Sequence, residues 1–310
     1  MDGVVNVHKI AGPTSHDIID QVRRIFGQRR VGHAGTLDPM ATGVLVVCLG
    51  KATRIVEYLT CTEKEYRAVL TLGVATDTQD STGEVISESD TSNVTLVALK
   101  NVTKAFVGEI DQVPPMISAI KHEGKPLYRH AREGKTIERA PRRVTVYSIT
   151  IDDFNIIPPG ILPGGCSRPE ANIIVHCSSG TYIRTLCADI GEVLGCGGMM
   201  SKLERTRVGQ FTLENAVTID QLQTAQSEDR LADYVCSTSE ALGDDMPVIE
   251  LDAESERRVI HGMPIFVQHT PESDSPVRLV SQSGELLAIG EFDDTNGATA
   301  VRPRKVFVDR

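Results

Sequence analysis

No apolar run in this 310-residue chain approaches the roughly 20 residues that a membrane-crossing helix needs, so no membrane span is expected. Met1 to Lys9 holds no basic segment leading into a long apolar core, and a secretory signal is not expected either. The seven cysteines (48, 61, 166, 177, 187, 196 and 236) are odd in number and form no C-x-x-C pair. They support neither a zinc site nor a disulfide framework, and a reducing cytoplasm is the expected setting. No fixed-period repeat is visible. What remains, 40% hydrophobic and 24% charged residues, is the composition of a soluble globular protein.

The net charge of −10 argues at first against a nucleic-acid partner, because phosphate binding runs on Lys and Arg. Its distribution weakens that objection. Glu214 to Glu256 carries twelve acidic residues against the single Arg230, so that segment alone is −11. Lys121 to Arg143 has eight basic residues against three glutamates, a local excess of +5. A charge run is usually a solvated face, but a basic segment set apart from an acidic one points modestly to an anionic partner.

Local patterns give the elements. Thr14 and Asp17 have capping-box spacing, and Ile18, Val22, Ile25 and Phe26 follow at helical intervals, predicting a helix over 15–26. Arg23, Arg24, Arg29 and Arg30 cluster at its C-terminal end, where the helix dipole favours cations. Tyr66, Ala68, Leu70 and Leu72 share one face of a strand over 65–73. Residues 94–106 read as a helix, 144–152 and 172–178 as strands, and Ile183, Leu186, Cys187, Ile190 and Leu194 as a helix from about 182. Asn155 to Ala171, rich in Pro and Gly, reads as a long loop. Strands and helices mix without regular β-α-β alternation, so the fold class expected is α+β. A polar stretch at 236–246 suggests a boundary. Beyond it, strand-like runs at 264–268, 277–280, 285–289 and 305–308 suggest a small β-rich module.

Gly32 to Leu45 (Gly-His-Ala-Gly-Thr-Leu-Asp-Pro-Met-Ala-Thr-Gly-Val-Leu) sets one carboxylate, Asp38, among glycines and a proline before an apolar run. Composition alone would make this a turn before a buried strand. The full string, however, resembles the signature of the TruB family of tRNA pseudouridine synthases, in which the Asp of G-T-L-D-P is the catalytic nucleophile. Four more blocks continue the resemblance in order: Lys64-Glu65-Tyr66-Arg67-Ala68 with Thr76-Asp77-Thr78-Gln79-Asp80, Pro114 to Lys121, Gly180 to Leu186, and Leu203 to Phe211. The resemblance reaches from residue 6 to about 220.

The resemblance implies an enzyme that isomerises the T-loop uridine at position 55 of tRNA, without metal or organic cofactor, acting as a monomer. It implies a mixed, largely antiparallel sheet with flanking helices over 1–240, with 121–143 as an RNA-contacting insertion, and a PUA-like domain over 246–310. The reaction detaches uracil from the ribose, turns it and rejoins it through C5. An ionised carboxylate could attack the sugar or the base, or stabilise positive charge at C1′. Arg184 is the expected partner of Asp38, since a nearby guanidinium lowers a carboxylate's pKa. The stacked uridine must be flipped into a pocket. Tyr66 would be the platform under the base and alternatively a general base, Leu203 an apolar wall, Tyr182 a further pocket residue, and His33 a contact to the everted RNA. Lys121, Arg139, Arg142 and Arg143 would meet T-arm phosphates in a charged, mobile segment.

Taken one at a time, these residues have plainer roles: a core tyrosine, a turn histidine, a surface arginine. Their joint placement is what lifts them. The chain departs from the family pattern at Ile10, where a proline is usual, at Glu204, where a basic residue is usual, and in the length of 155–171. Two other functions remain open on the residues: an RNA-binding protein without catalysis, and a carboxylate-pair hydrolase using Asp77 or Asp80 as its second acid.

Overall fold

The computed structural model describes residues 1–118, 120–157, 168–267, 275–295 and 298–308. In chain order its first part comprises β1 (Gly3–Lys9), α1 (Ser15–Ile25), β2 (Val31–His33), β3 (Thr42–Leu49), α2 (Val56–Thr60), β4 (Lys64–Leu72), β5 (Val74–Thr76), β6 (Val85–Glu88), α3 (Leu96–Ala105) and β7 (Gly108–Gln112). There follow β8 (Lys121–His122), β9 (Lys125–Pro126), α4 (Leu127–Arg132), β10 (Arg142–Ile157), β11 (Arg168–Cys177), α5 (Ile183–Val193), β12 (Gly198–Val208), β13 (Phe211–Thr212) and α6 (Ile219–Ser227).

One sheet organises this part, in the order β1-β3-β12-β4-β11-β10-β7, with β2 paired to β3 and β13 to β12. Only the β3–β12 pair is parallel, so the sheet is mixed and largely antiparallel. The α+β expectation holds. Period-two alternation puts Tyr66, Ala68, Leu70 and Leu72 of β4 on one face, packed with Ile183, Leu186, Cys187 and Ile190 of α5. α1 has the expected capping box: Thr14 Oγ1 accepts from Asp17 N at 3.1 Å, and Asp17 Oδ2 accepts from Thr14 N at 2.8 Å. Its Ile18, Val22 and Ile25 bury against Val5, Val7, Leu45, Val47 and Leu49. Full burial of each such side chain contributes about 1.5–3 kcal/mol.

The C-terminal part adds β14 (Val248–Glu250), α7 (Ala253–Ile260), β15 (Ile265–Phe266), β16 (Val277–Val280), β17 (Leu286–Thr295) and β18 (Ala298–Val306), with the strands in the order β14-β16-β17-β18-β15. This strand-rich part has its own core, including Leu251, Val259, Ile265, Leu279 and Val301. A further cluster joins it to the large sheet: Val280, Leu286, Ile289 and Phe307 pack with Val4, Ala52, Ile55 and Leu59. Ala241, Leu242 and Met246, from the polar 236–246 stretch, are buried in that same cluster. Among the described residues no helix is long and apolar enough to cross a membrane.

Three expectations need correction. Asn155–Ile157 and Arg168–Ala171 are not loop but the ends of β10 and β11, in register from Ile157↔Arg168 to Phe154↔Ala171. Ladder pairing outweighs the local turn composition, helped by Arg168 donating to Glu88 at 2.8 Å and by Thr71 Oγ1 donating to Glu170 at 2.8 Å. Residues 158–167 of that loop, and Gln268 of the 264–268 run, lie outside the described residues. Second, Arg142 and Arg143 are not in the basic insertion but begin β10, opposite Gln112 and Asp111 of β7. Third, α7 was not expected; Asp252 caps it by accepting from Ser255 N at 2.8 Å, inside a segment that reads as solvated acid.

Candidate active site

Residues 34–41 link β2 to β3 and carry Asp38, and buried cations hold their backbone. The Lys9 side chain, with no exposed surface, donates from Nζ to the carbonyls of Ile10 (3.0 Å), Pro39 (3.1 Å) and Ala41 (2.6 Å). Arg205, 1% exposed, donates to Val44 O at 2.8 Å, Gly35 O at 3.1 Å and Thr36 O at 3.4 Å. Ser15 of α1 closes the frame, donating to Leu37 O at 3.0 Å and accepting from Leu37 N at 2.8 Å. Ile10, the departure from the family pattern, points outward and leaves this frame intact; Gly12 N still donates to Pro39 O at 2.8 Å.

Gly43 makes the close approach possible. Its φ is +106°, and a Cβ there would lie 2.2 Å from the carbonyl oxygen of Arg205. Gly43→Ala is therefore expected to destabilise the fold by about 2 kcal/mol or more. An unfolding midpoint within a degree of wild type would show that the loop can relax around the methyl.

Asp38 lies at a cavity of about 300 Å³. Tyr66, Leu203, Tyr182, Lys64 and Arg205 are among its walls. Arg184, the second residue of α5, reaches Asp38 Oδ2 with Nε at 3.1 Å and Asp80 Oδ2 with Nη1 at 3.3 Å. Its Nη2 donates to Ile117 O at 2.7 Å. Asp80 is buried, and its other oxygen accepts from Thr78 Oγ1 at 2.7 Å and Thr82 N at 2.9 Å. The start of α5 is fixed by Gln112, whose side chain accepts from Tyr182 N at 2.9 Å and donates to Tyr182 O at 3.2 Å.

The electrostatics correct one expectation. Arg184 does favour the Asp38 anion, but burial is the larger effect and Asp80 adds to it, so the Asp38 carboxyl is pushed above the usual range. Desolvation also lowers Lys9 and Lys64 to about 8. Burial raises the Tyr66 phenol, with Arg205 opposing, so Tyr66 keeps its proton at neutral pH. Tyr182 is raised as well, mainly by burial.

The sequence-predicted residues divide in two. Asp38, Tyr66, Arg184, Tyr182 and Leu203 meet around the cavity, with Leu203 of β12 opposite Ala68 of β4. His33 is in β2 and does not line the cavity; burial and Arg205 lower its pKa. Lys121, Arg139, Arg142 and Arg143 do not line the cavity either, although the charge of Arg142 acts on the wall residue Tyr182. Arg139 donates to Pro114 O at 3.0 Å, and Arg143 lies 3.5 Å from Glu109 and 3.6 Å from Asp111. Lys121 belongs to the β8–β9 hairpin. Glu204 faces across the sheet to Arg67.

Three residues of the site carried no predicted role, Lys9, Lys64 and Arg205, and Asp80 carried one only as the second acid of the rival hydrolase, whereas it is paired with Arg184. All stand inside the quoted motifs or next to them, but only burial separates them from solvated surface charges.

Family models match nearly the whole chain. Residues 23–183 match the TruB family pseudouridylate synthase N-terminal domain. Residues 184–242 match the tRNA pseudouridylate synthase B C-terminal domain, and 247–307 the pseudouridine synthase II TruB C-terminal model. A protein of Thermobifida fusca named tRNA pseudouridine synthase B is 45% identical, over 99% of this chain and 98% of its own. One of the same name from Geotalea uraniireducens is 48% identical, over 78% of this chain and 74% of its own. Among solved structures, an H/ACA ribonucleoprotein bound to a substrate RNA containing 2′-deoxyuridine has a chain 26% identical to this one. That chain superposes with a TM-score of 0.74, covering 99% of this chain and 86% of its own. With one family model matching over half its residues and a 45% identical relative spanning its length, this chain belongs to the TruB family of pseudouridylate synthases.

Proposed function

We propose that this protein converts a T-loop uridine of tRNA, position 55, into pseudouridine, with Asp38 as the nucleophile. The observation that carries the reading is the Asp38–Arg184 pair at the cavity, 3.1 Å apart, with a carboxylate about one-third exposed and so open to a ligand while partial desolvation disfavours its charge. Such an anion gains by forming a bond to carbon, whether at the sugar or at the base. The bond to Asp38 forms and the C1′–N1 bond breaks with its electron pair going to uracil, the ring turns, C5 bonds to C1′ as the bond to Asp38 is released, and the proton lost from C5 is matched by one gained at N1.

In this reading the uridine is flipped from its stack into the cavity. Tyr66 supports the ring, Leu203 and Tyr182 flank it, and His33, outside the cavity, meets the everted RNA. Lys121, Arg139, Arg142 and Arg143 contact T-arm phosphates. Residues 1–240 form the catalytic domain and 246–310 a PUA-like domain, and the enzyme acts as a cytoplasmic monomer without metal or organic cofactor.

The raised phenol bears on the second role of Tyr66. A tyrosinate base is not populated at neutral pH, so Tyr66 would have to give up its proton as it takes another. Tyr66→Phe is expected to keep RNA affinity and lower turnover by about 10²–10⁴ if Tyr66 moves a proton. Unchanged turnover would leave it the role of platform alone.

Nucleoside analysis of an unmodified tRNA transcript after incubation tests the function. Pseudouridine at position 55 with no free uracil supports the isomerase; free uracil would indicate a hydrolase. An unaltered transcript that still binds would indicate a binding protein.

A further inference from the structure

The chain's negative charge leaves open how it holds a polyanion, because its most basic segment is partly neutralised from within. Glu133 pairs with Lys125 and, at 3.4 Å, with Lys135, while Arg143 sits between Glu109 and Asp111. The end of α1 is different. No acidic residue occurs between Asp20 and Asp38, and four arginines do: Arg23, Arg24, Arg29 and Arg30.

The turn after the helix brings them together. Gly27 takes φ +61°, and Gln28 N donates back to Arg23 O at 3.1 Å, so the chain reverses within three residues. Arg23, Arg24, Gly27, Gln28 and Arg29 line an open hollow of about 360 Å³. Arg23 alone has a carboxylate partner, Asp20 at 2.8 Å; among the described residues Arg24, Arg29 and Arg30 form no ion pair, and all three are exposed. Arg24 donates only to the backbone oxygen of Asp20, and Arg30 to Thr53 Oγ1 at 2.8 Å.

Arg23 and Gln28 of the hollow's walls each hold one donor, Arg23 Nε and Gln28 Nε2, that is closed off from water and has no acceptor among the described residues. The Gln28 amide is oriented by its oxygen, which accepts from Met1 N at 3.1 Å.

We propose that the Arg23–Arg30 turn is a second RNA contact, seating a backbone phosphate of the helical stem that carries the target loop. The inference rests on the proposed RNA substrate. The placement fits: Ser15, at the other end of α1, is hydrogen-bonded to Leu37 of the catalytic loop, and eleven helical residues rise about 16 Å. That distance is roughly five steps of a duplex strand. The catalytic loop would hold the flipped nucleotide while the arginine turn grips the stem that carries it.

The test pairs Arg24→Ala/Arg29→Ala with two RNAs, a full T-arm stem-loop and one whose stem is cut shorter than the length of α1. On the full arm the variant should bind about tenfold more weakly, and its log–log salt slope should fall by about one, for the one phosphate released. The maximal rate of C5 tritium release should not change, and the short stem should bind wild type and variant alike. Arg24→Lys/Arg29→Lys should restore the slope, since phosphate attraction needs only the charge.

An unchanged affinity and slope on the full arm, with the unfolding midpoint kept, would overturn the proposal. Equal losses on both RNAs would also overturn it, by placing the effect at the loop. Binding is read separately from tritium release. A wild type that binds both RNAs but releases no tritium would therefore refute the isomerase reading, while the affinities of wild type and variant would still decide the arginine contact.

Discussion

Arg184→Gln is expected to destabilise the folded protein by about 3–5 kcal/mol and to remove turnover almost completely. The residue is 4% exposed and bridges two carboxylates, Asp38 and Asp80. Glutamine could replace a hydrogen bond but not the charge, leaving both carboxylates without their shared counterion. Breaking a buried pair this way costs far more than the intact pair contributes, because an uncompensated charge stays inside. In a chain of this size the unfolding midpoint should drop on the order of 10 °C.

The pH dependence has a defined sign. Burial already raises Asp38, and removing the guanidinium raises it further, so the acid limb of the rate profile should move to higher pH. Arg184→Lys should recover little, since one ammonium cannot reproduce the fork that serves Asp38, Asp80 and the Ile117 carbonyl together. An unshifted midpoint and an unshifted acid limb would mean that water, not Arg184, compensates the two anions.

Asp38→Asn should separate stability from function. The carboxyl's folded pKa lies above its unfolded value, so between the two the folded state holds more protons and stability rises as pH falls. At neutral pH the ionised side chain therefore weighs against the fold. The uncharged amide, nearly the same shape, should raise the unfolding midpoint at pH 7, and the gain should vanish in acid, where Asp38 is protonated. RNA affinity should stay near wild type, because Arg184 keeps Asp80 as a partner and the cavity walls are unchanged. The catalytic loss should exceed about 10⁴-fold, the scale seen when a covalent nucleophile is deleted. A midpoint that falls at pH 7 would contradict the claim that the anion is held at a cost.

How much of this was legible in the sequence depended on the range of the interaction. α1 and β4 are local: Thr14 with Asp17, and the alternation from Tyr66 to Leu72, fix them without distant contacts. Asp38 and Arg184 were legible from motif context. The ends of β10 and β11 were not, since Pro169 and Asn155 look like loop until the ladder pairs them with Ile156 and Glu170. Lys9, Arg205 and the pairing of Asp80 with Arg184 escaped for a related reason. Arg205 is buried because β12 returns beside β3 after some 160 residues, setting its guanidinium on the carbonyls of Gly35 and Val44. Nothing local tells such an arginine from a surface one. The same topology turned the expected lowering of the Asp38 pKa into a rise: the motif named the partner, but the depth of burial came from the fold.

Release of tritium from a tRNA transcript labelled at uridine C5, with wild type and Asp38→Asn side by side, bears most directly on the central claim. Forming the new C1′–C5 bond must displace that hydrogen. Release by wild type and none by the variant, with both proteins folded and binding the transcript, is the predicted result. Release by both would contradict the assignment of Asp38 as the reacting group, and release by neither would contradict the isomerisation itself.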